Sequence, residues 1–298
     1  MKNVNLKLIC LSSFILFASC SLFPEGGEVK EKIKAAIQYN DAPYYTIKVN
    51  YKYGSGAIKA PASGEASKKV TDTFTIDFAP HDEYEFIEWK ISDLVTKTQF
   101  QNGEYLRIEA LNQETTDCTF VRAPASGIQL CLTAVVAARP TISNSYPKSG
   151  ESGANKNAPI KLMFDQEMSA DSFYYTKDEI DELKYEYNLL DSDFLPKGAA
   201  SNFYGYEKGG QTFFRIISVI NQNTKISLLN NYDAPRFMTD TNSGEPDLYI
   251  VVIPMKTGKY LEQGTQVYAT AKKEITSTQG VAMKRDDPWL FYVGSGTE

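Results

Sequence analysis

From Tyr45 onward the chain alternates between apolar and polar residues. Ile47, Val49 and Tyr51 fall on one face of a predicted strand and Lys48, Asn50 and Lys52 on the other, the period of two expected of a half-buried β-strand. The same pattern returns at Phe74, Ile76 and Phe78, around Phe86 and Trp89, at Leu106, Ile108 and Ala110, and at Ile128, Leu130, Leu132 and Ala134. Phe86 and Trp89 differ in parity, so a strand that buries both must bulge or kink between them. A second series starts with Ile160, Leu162 and Phe164 behind Pro159, and resumes at 213–219, 225–229 and 248–253. Between them, about 174–210, the period changes. Thr176 and Glu179 have the spacing of a capping box, and Ile180, Leu183, Tyr187 and Leu190 recur at helical intervals. The expected fold class is mainly β: a small β-repeat domain over 44–138, then a β-sandwich over 139–294 with a short helical insertion.

The first 20 residues follow a different rule. Lys2 and Lys7 precede an apolar run from Leu8 to Phe17, broken by Ser12 and Ser13, and Ala18 and Ser19 follow. That is the order of a secretory signal, and the run is about half the roughly 20 residues a spanning helix needs. Leu16-Phe17-Ala18-Ser19-Cys20 resembles the lipobox of bacterial lipoproteins, with Phe17 in place of the usual smaller aliphatic residue. The resemblance implies a leader over 1–19 that is removed and lipid on Cys20; the mixed, polar residues that follow, 20–43, read as a tether with a short helix expected over 28–34. Ser21, where an Asp would signal inner-membrane retention, points to the outer membrane, on either face. A plain secretory signal with an incidental cysteine would instead release a free protein.

Two ordinary domains fit the length that remains of the 298 residues. The net charge of −6 grows more negative without Lys2 and Lys7, and no basic stripe is interleaved with aromatics, so nucleic acid is not an expected partner. Of four cysteines, Cys10 lies in the leader and Cys20 takes the lipid, which leaves Cys118 and Cys131. An oxidising compartment and an even count favour a disulfide between them, on neighbouring strands of a hairpin turning at 122–127; two free buried thiols are the alternative.

Two further resemblances cover most of the mature chain. Tyr45-Thr46-Ile47-Lys48-Val49, the Gly54-Ser55-Gly56 turn, Thr73-Phe74-Thr75-Ile76 and Tyr84-Glu85-Phe86-Ile87-Glu88-Trp89 resemble the divergent internalin-type B-repeat of bacterial surface proteins, with Glu88 where that family usually has glycine. Pro147-Lys148-Ser149-Gly150, Asn157 to Asp165, Met168 and Ser172-Phe173, then Gly264 to Thr270 and Trp289-Leu290-Phe291-Tyr292-Val293, resemble the bacterial Ig-like domain of the S-layer protein type. The first family implies no catalytic residues. Domains of the second kind often occur in series, which leaves open that the chain is the front of a longer protein.

Candidate chemistry is sparse. His81 is the one histidine, in the turn-like Pro80-His81-Asp82-Glu83, and reads as a surface residue; two body cysteines are too few for structural zinc. No G-x-S-x-G, phosphate loop or dinucleotide fingerprint occurs. Asp191 with Asp193, and Asp178, Glu179, Asp181 and Glu182, are carboxylates that a glycosidase could use, but on a helix rich in charge they read as a solvated face. Asp240, Asn242, Gly244 and Asp247 are a weak calcium candidate, without the EF-hand glycine and terminal glutamate. No cofactor is expected. The 19 tyrosines stand out, with Tyr44, Tyr45, Tyr51 and Tyr53 together, and Tyr174, Tyr175, Tyr185, Tyr187, Tyr204 and Tyr206 in the insertion. Tyrosine suits both recognition surfaces and sheet cores. Trp89 and Trp289 are expected in the cores.

The expected function is a non-enzymatic, lipid-anchored envelope protein, a spacer or an adhesion module meeting extracellular protein or glycan. The alternative is a carbohydrate-binding or enzyme-associated surface protein, with Tyr204 and Tyr206 as contacts. Exposed rings beside carboxylates in a concave patch would favour that alternative; rings packed under the helix would favour the spacer.

Overall fold

The computed structural model describes residues 26–196, 202–241 and 243–297. The leader, Cys20 and Asn242 lie outside them. The chain divides into two units, one holding residues up to Tyr53 with 57–79 and 87–135, the other holding 136–298 with Gly54–Gly56 and Pro80–Phe86.

The first unit opens with helix α1 (Gly26–Asp41), longer than the short helix expected over 28–34. Its C-terminal carbonyls lack helical partners, and Lys69 supplies them: this 3% exposed side chain donates to the carbonyls of Tyr39 and Asn40, 2.7 Å each. The ammonium also lies over the rings of Tyr39 and Tyr44, 5.0 and 4.7 Å from their centroids, a cation placed where the helix dipole and two π-faces favour it. The segment expected to be a tether therefore ends in a docked helix rather than a loose strand of chain.

Nine strands follow: β1 (Tyr45–Tyr51), β2 (Gly56–Ala60), β3 (Glu65–Lys68), β4 (Thr73–Pro80), β5 (Tyr84–Asp93), β6 (Gln99–Phe100), β7 (Leu106–Ile108), β8 (Thr115–Phe120) and β9 (Leu130–Ala138). They form two sheets, in the orders β3-β1-β9-β5-β6 and β2-β4-β8-β7. The alternation read from sequence sets the buried faces, with Ile47, Val49, Ile76, Phe78, Leu130 and Leu132 all inside. Phe86 and Trp89 are both buried, so β5 changes its buried parity between them; the Trp89 amide donates to the Leu111 carbonyl and its indole to that of Gln113.

The expected Cys118–Cys131 disulfide is not formed. Both cysteines are free and buried. The hairpin expectation fails because β8 and β9 belong to different sheets. Cys118 pairs with the core residues Phe74 and Ile108, whereas Cys131, between the inward Leu130 and Leu132, must point to the other face of its strand. There its sulfur meets Asn50 Nδ2 at 3.3 Å and Thr133 Oγ1 at 3.7 Å. Burial pushes the Cys118 thiol up to about 12, which keeps it protonated and inert.

The second unit contains β10 (Ile142–Tyr146), β11 (Ile160–Phe164), helix α2 (Lys177–Tyr187), β12 (Phe194–Leu195), β13 (Gly205–Lys208), β14 (Gln211–Phe214), β15 (Ile217–Asn221), β16 (Arg236–Thr239), β17 (Pro246–Ile253), β18 (Gln266–Ala271) and β19 (Asp287–Tyr292). Two sheets face a common core, in the orders β10-β11-β17-β16 and β15-β18-β19. Lettered along the chain without β12 to β14, these are A-B-E-D and C-F-G, the strand order of a constant-type immunoglobulin sandwich. Residues 150–154 run along β19, with Ala154 bridged parallel to Val293, and cover that edge. Trp289 packs in this core and Trp89 in that of the first unit.

The insertion lies between the B and C strands, and within it and in the C–D connection beyond it the expectations need three corrections. Residues 225–229 do not form a strand; Ser227 makes an isolated bridge to Ile220 and a 3-10 turn follows at Leu229–Asn231. The run 213–219 is broken at Arg215-Ile216 into β14 and β15. Leu190 is 68% exposed and its neighbour Leu189 only 8%, because Asn188 takes the left-handed conformation at φ 53° and ends the helical phase.

Candidate functional site

Arg215 holds the insertion to the sandwich. Its guanidinium grips Glu179 as a fork, Nε to Oε2 at 3.0 Å and Nη2 to Oε1 at 2.9 Å, while Nη1 donates to the Ser172 and Glu274 carbonyls. One side chain thus ties the start of α2 and the Ser172 turn to the connection between β18 and β19. Glu179 also closes the expected capping box, accepting from the Thr176 amide at 2.7 Å while its own amide donates to the Thr176 hydroxyl at 3.3 Å. Burial pushes the Glu179 carboxyl up, but Arg215 and the Thr176 amide outweigh it and hold it below the usual carboxylate value.

On the far side of α2 the chain forms a small sheet, β12-β13-β14, that the sequence reading did not anticipate. Its signal was present: Gly209 and Gly210 turn β13 into β14 with φ of 57° and 76°, the two positive values of a two-residue hairpin loop. Gly205 is needed at the other end of β13, since a Cβ there would press on the Phe213 carbonyl oxygen and come within 2.8 Å of the Phe214 ring.

Between α2, this hairpin, β15 and the β18–β19 connection runs a groove of about 550 Å3. Alternation builds its floor. Thr212, Phe214, Ile217 and Val219 are buried, so Gln211, Phe213, Ser218 and Ile220 point the other way and line it. One wall is aromatic: Tyr187 and Tyr206 lie with planes 20° apart and centroids 6.2 Å apart, and Tyr206 and Phe213 again 20° apart at 5.1 Å. Lys208 caps the Tyr187 end, 3.9 Å from its centroid. Lys272, Lys273, Glu274 and Asp286 line the groove from the β18–β19 connection, and Lys225 from the turn after β15. Burial raises the phenols of Tyr175 and, to about 12, of Tyr206, so both keep their protons at neutral pH.

Two of the three groove carboxylates are already engaged. Glu179 is bound to Arg215; Asp286 takes Lys272 at 3.1 Å and the Lys273 amide at 2.9 Å, which overcome its burial and lower its pKa. What is left to meet a ligand is a set of rings, an amide, a hydroxyl, ammonium groups and the Glu274 carboxylate. That chemistry suits holding a ligand.

The two tyrosines singled out from sequence take different places. Tyr204 packs on the sandwich core, edge-on to Phe214 at 5.3 Å, while Tyr206 lines the groove as the middle ring of the stack. Asp191 pairs with Lys184 at 2.6 Å and Asp193 accepts the Leu190 amide at 2.7 Å, an ordinary turn closure. Asp240 closes its own turn with Ser243 at 2.9 Å, and Asp247 accepts the Tyr249 amide at 3.0 Å. Among the described residues no group of three or more metal-ligating side chains occurs. His81 is exposed, with Nδ1 3.0 Å from the Gly54 carbonyl oxygen. Sequence reasoning missed Arg215, Phe213, Lys225 and Lys273 as site residues.

No family model matches the chain, and no curated protein matches it. Among solved structures it is similar to the N-terminal part of the bacterial S-layer protein SbsC, at 9% identity and a TM-score of 0.26, covering 52% of this chain and 24% of that one. It is also similar to a three-domain Ig fragment of titin, at 8% identity and a TM-score of 0.25, covering 85% of this chain and 66% of that one. A two-domain titin tandem gives 8% identity and a TM-score of 0.23, covering 86% and 96%. The chain thus spans about a quarter of the S-layer fragment and about two thirds of the longer titin fragment. The Ig-like assignment here rests on the strand order of the second unit.

Proposed function

We propose that this chain is a lipid-anchored cell-envelope interaction module without catalysis of its own, in which the second unit carries a recognition groove. The observation that carries the reading is the groove itself. It is built by an insertion between the B and C strands together with the F–G connection, the elements whose counterparts make ligand contacts in variable immunoglobulin domains. Arg215 pins both to the sandwich, so the walls are fixed before any ligand arrives and little ordering entropy remains to be lost on binding. The anchor is supported by the sequence around Cys20, and two or more acyl chains hold a protein stably where one holds it marginally.

Protease treatment of intact cells, blotted for this protein beside a periplasmic control, tests the display. Loss of the body with the control intact is the expected result; survival of both would set the protein on the periplasmic side and remove the adhesion role. The spacer reading has one observation in its favour, namely that Tyr204 packs on the core and Tyr206 is half-buried within its stack. It predicts that groove variants which fold normally have no effect on any binding.

A further inference from the structure

We infer that the groove of the second unit takes an acidic oligosaccharide, one carrying carboxylate or sulfate groups on its sugar rings. The inference rests on reading the groove as a recognition site and names what it recognises. Phe213 ends the row of near-parallel rings along one wall, and a sugar presents a flat C–H face to such rings while its rim of hydroxyls seeks hydrogen-bond partners. Gln211, whose Oε1 already accepts the Ser227 amide at 2.9 Å, offers its Nε2, and Ser218 its hydroxyl, beside Phe213 and Ile220. The acidic preference comes from Lys225 and Lys273. Arg215 is paired with Glu179 and Lys272 with Asp286, whereas neither Lys225 nor Lys273 has a carboxylate at ion-pair distance among the described residues; both are exposed at the groove, where they outnumber the one remaining carboxylate, Glu274. Ammonium groups so placed favour an anionic ligand with charge-assisted hydrogen bonds.

An extended peptide is disfavoured by the backbone. Peptides that add to a sheet need a free strand edge. Along the groove those edges are taken: the Asn221 amide donates to Ile226 and the Leu228 amide to Val219, at 2.9 and 2.8 Å. On β14, the Thr212 amide donates to Asn230 Oδ1 and the Thr212 carbonyl accepts from the Ser227 hydroxyl. Recognition is left to side chains, which suits a ligand with no backbone ladder of its own.

Lys225 also separates binding from stability. It holds φ at 61°, a conformation glycine adopts at less cost, so Lys225→Gly should leave the melting temperature unchanged or higher. The full-length protein in detergent is titrated calorimetrically with uronate-bearing, sulfated and neutral oligosaccharides of matched length. Expected are binding of one or both acidic sets, weaker binding of the neutral set, and affinity that falls with added salt. Lys225→Gly and Lys273→Ala should each lose about tenfold toward the acidic sugars, and Phe213→Ala should weaken all sugars. The uronate and sulfate arms show which anion is preferred. Equal binding of neutral and acidic sets, or unchanged affinity in a folded Lys225→Gly protein, would overturn the acidic assignment. No saccharide binding at all, or binding only of an acidic peptide of similar length, would overturn the inference while leaving the envelope interaction module to stand or fall by the protease experiment.

Discussion

Arg215 is 11% exposed and makes contacts to three separate segments, so its removal would be felt well beyond its own strand. Taking away one member of a buried ion pair leaves the other charge unsatisfied, at a cost of about 3 to 5 kcal/mol. Glu179 is partly open to water at 31%, which sets the expectation for Arg215→Ala at the lower end, about 3 kcal/mol by urea unfolding. Arg215→Lys should recover little of it, since one ammonium cannot reproduce the fork and the two carbonyl contacts. The opposite sign is expected at Tyr232. Its hydroxyl is buried in the second core with no hydrogen-bond partner among the described residues, and burial pushes its phenol up. Tyr232→Phe removes an unsatisfied polar group, so its melting temperature should equal or exceed that of the wild type; a clear fall would show that the hydroxyl is satisfied in solution.

Helix α2 has no fully buried residue and is held largely by its cap and by Arg215. Its dependence on pH follows from Glu179, whose carboxyl is lower in the folded protein than in the unfolded chain. A depressed carboxylate stabilises above its unfolded value, about pH 4.3, and the contribution is lost as pH falls through the lower folded value. Protection of the 177–187 amides against exchange, corrected for the intrinsic rate at each pH, should therefore fall between about pH 5 and 3 relative to the sandwich strands. Glu179→Gln should already show low protection at neutral pH, little changed on acidification; an equal acid response in that variant would assign the effect to other carboxylates. The capping box was legible because it is local, with Thr176 and Glu179 three residues apart. The small sheet beside it was announced by Gly209-Gly210, a signal passed over because the surrounding helical period drew the reading. Leu190 was misassigned because one left-handed residue, Asn188, resets the phase, and periodicity carries no warning of that.

At the scale of the whole molecule, the proposed lipid anchor at Cys20 sets where both units would be displayed. The wild-type protein should partition into detergent and Cys20→Ala into the aqueous phase; equal partitioning would remove the lipid anchor. The sequence by itself determined the mainly β class, the inward faces of most strands and the position of the insertion, because period-two alternation and capping are properties of neighbours along the chain. Only the tertiary structure decided strand partners. Cys118 and Cys131 are 13 positions apart, yet sheet membership sends one into the core and the other to the outer face, and Leu130 and Leu132 flanking Cys131 held the only local hint. The groove was decided in the same way. Phe213, Arg215, Lys225 and Lys273 come from three connections of the fold, and they meet because the A-B-E-D and C-F-G sheets fix where those connections end. Separation along the chain says nothing of that meeting, which is set by the burial of two sheet faces against each other.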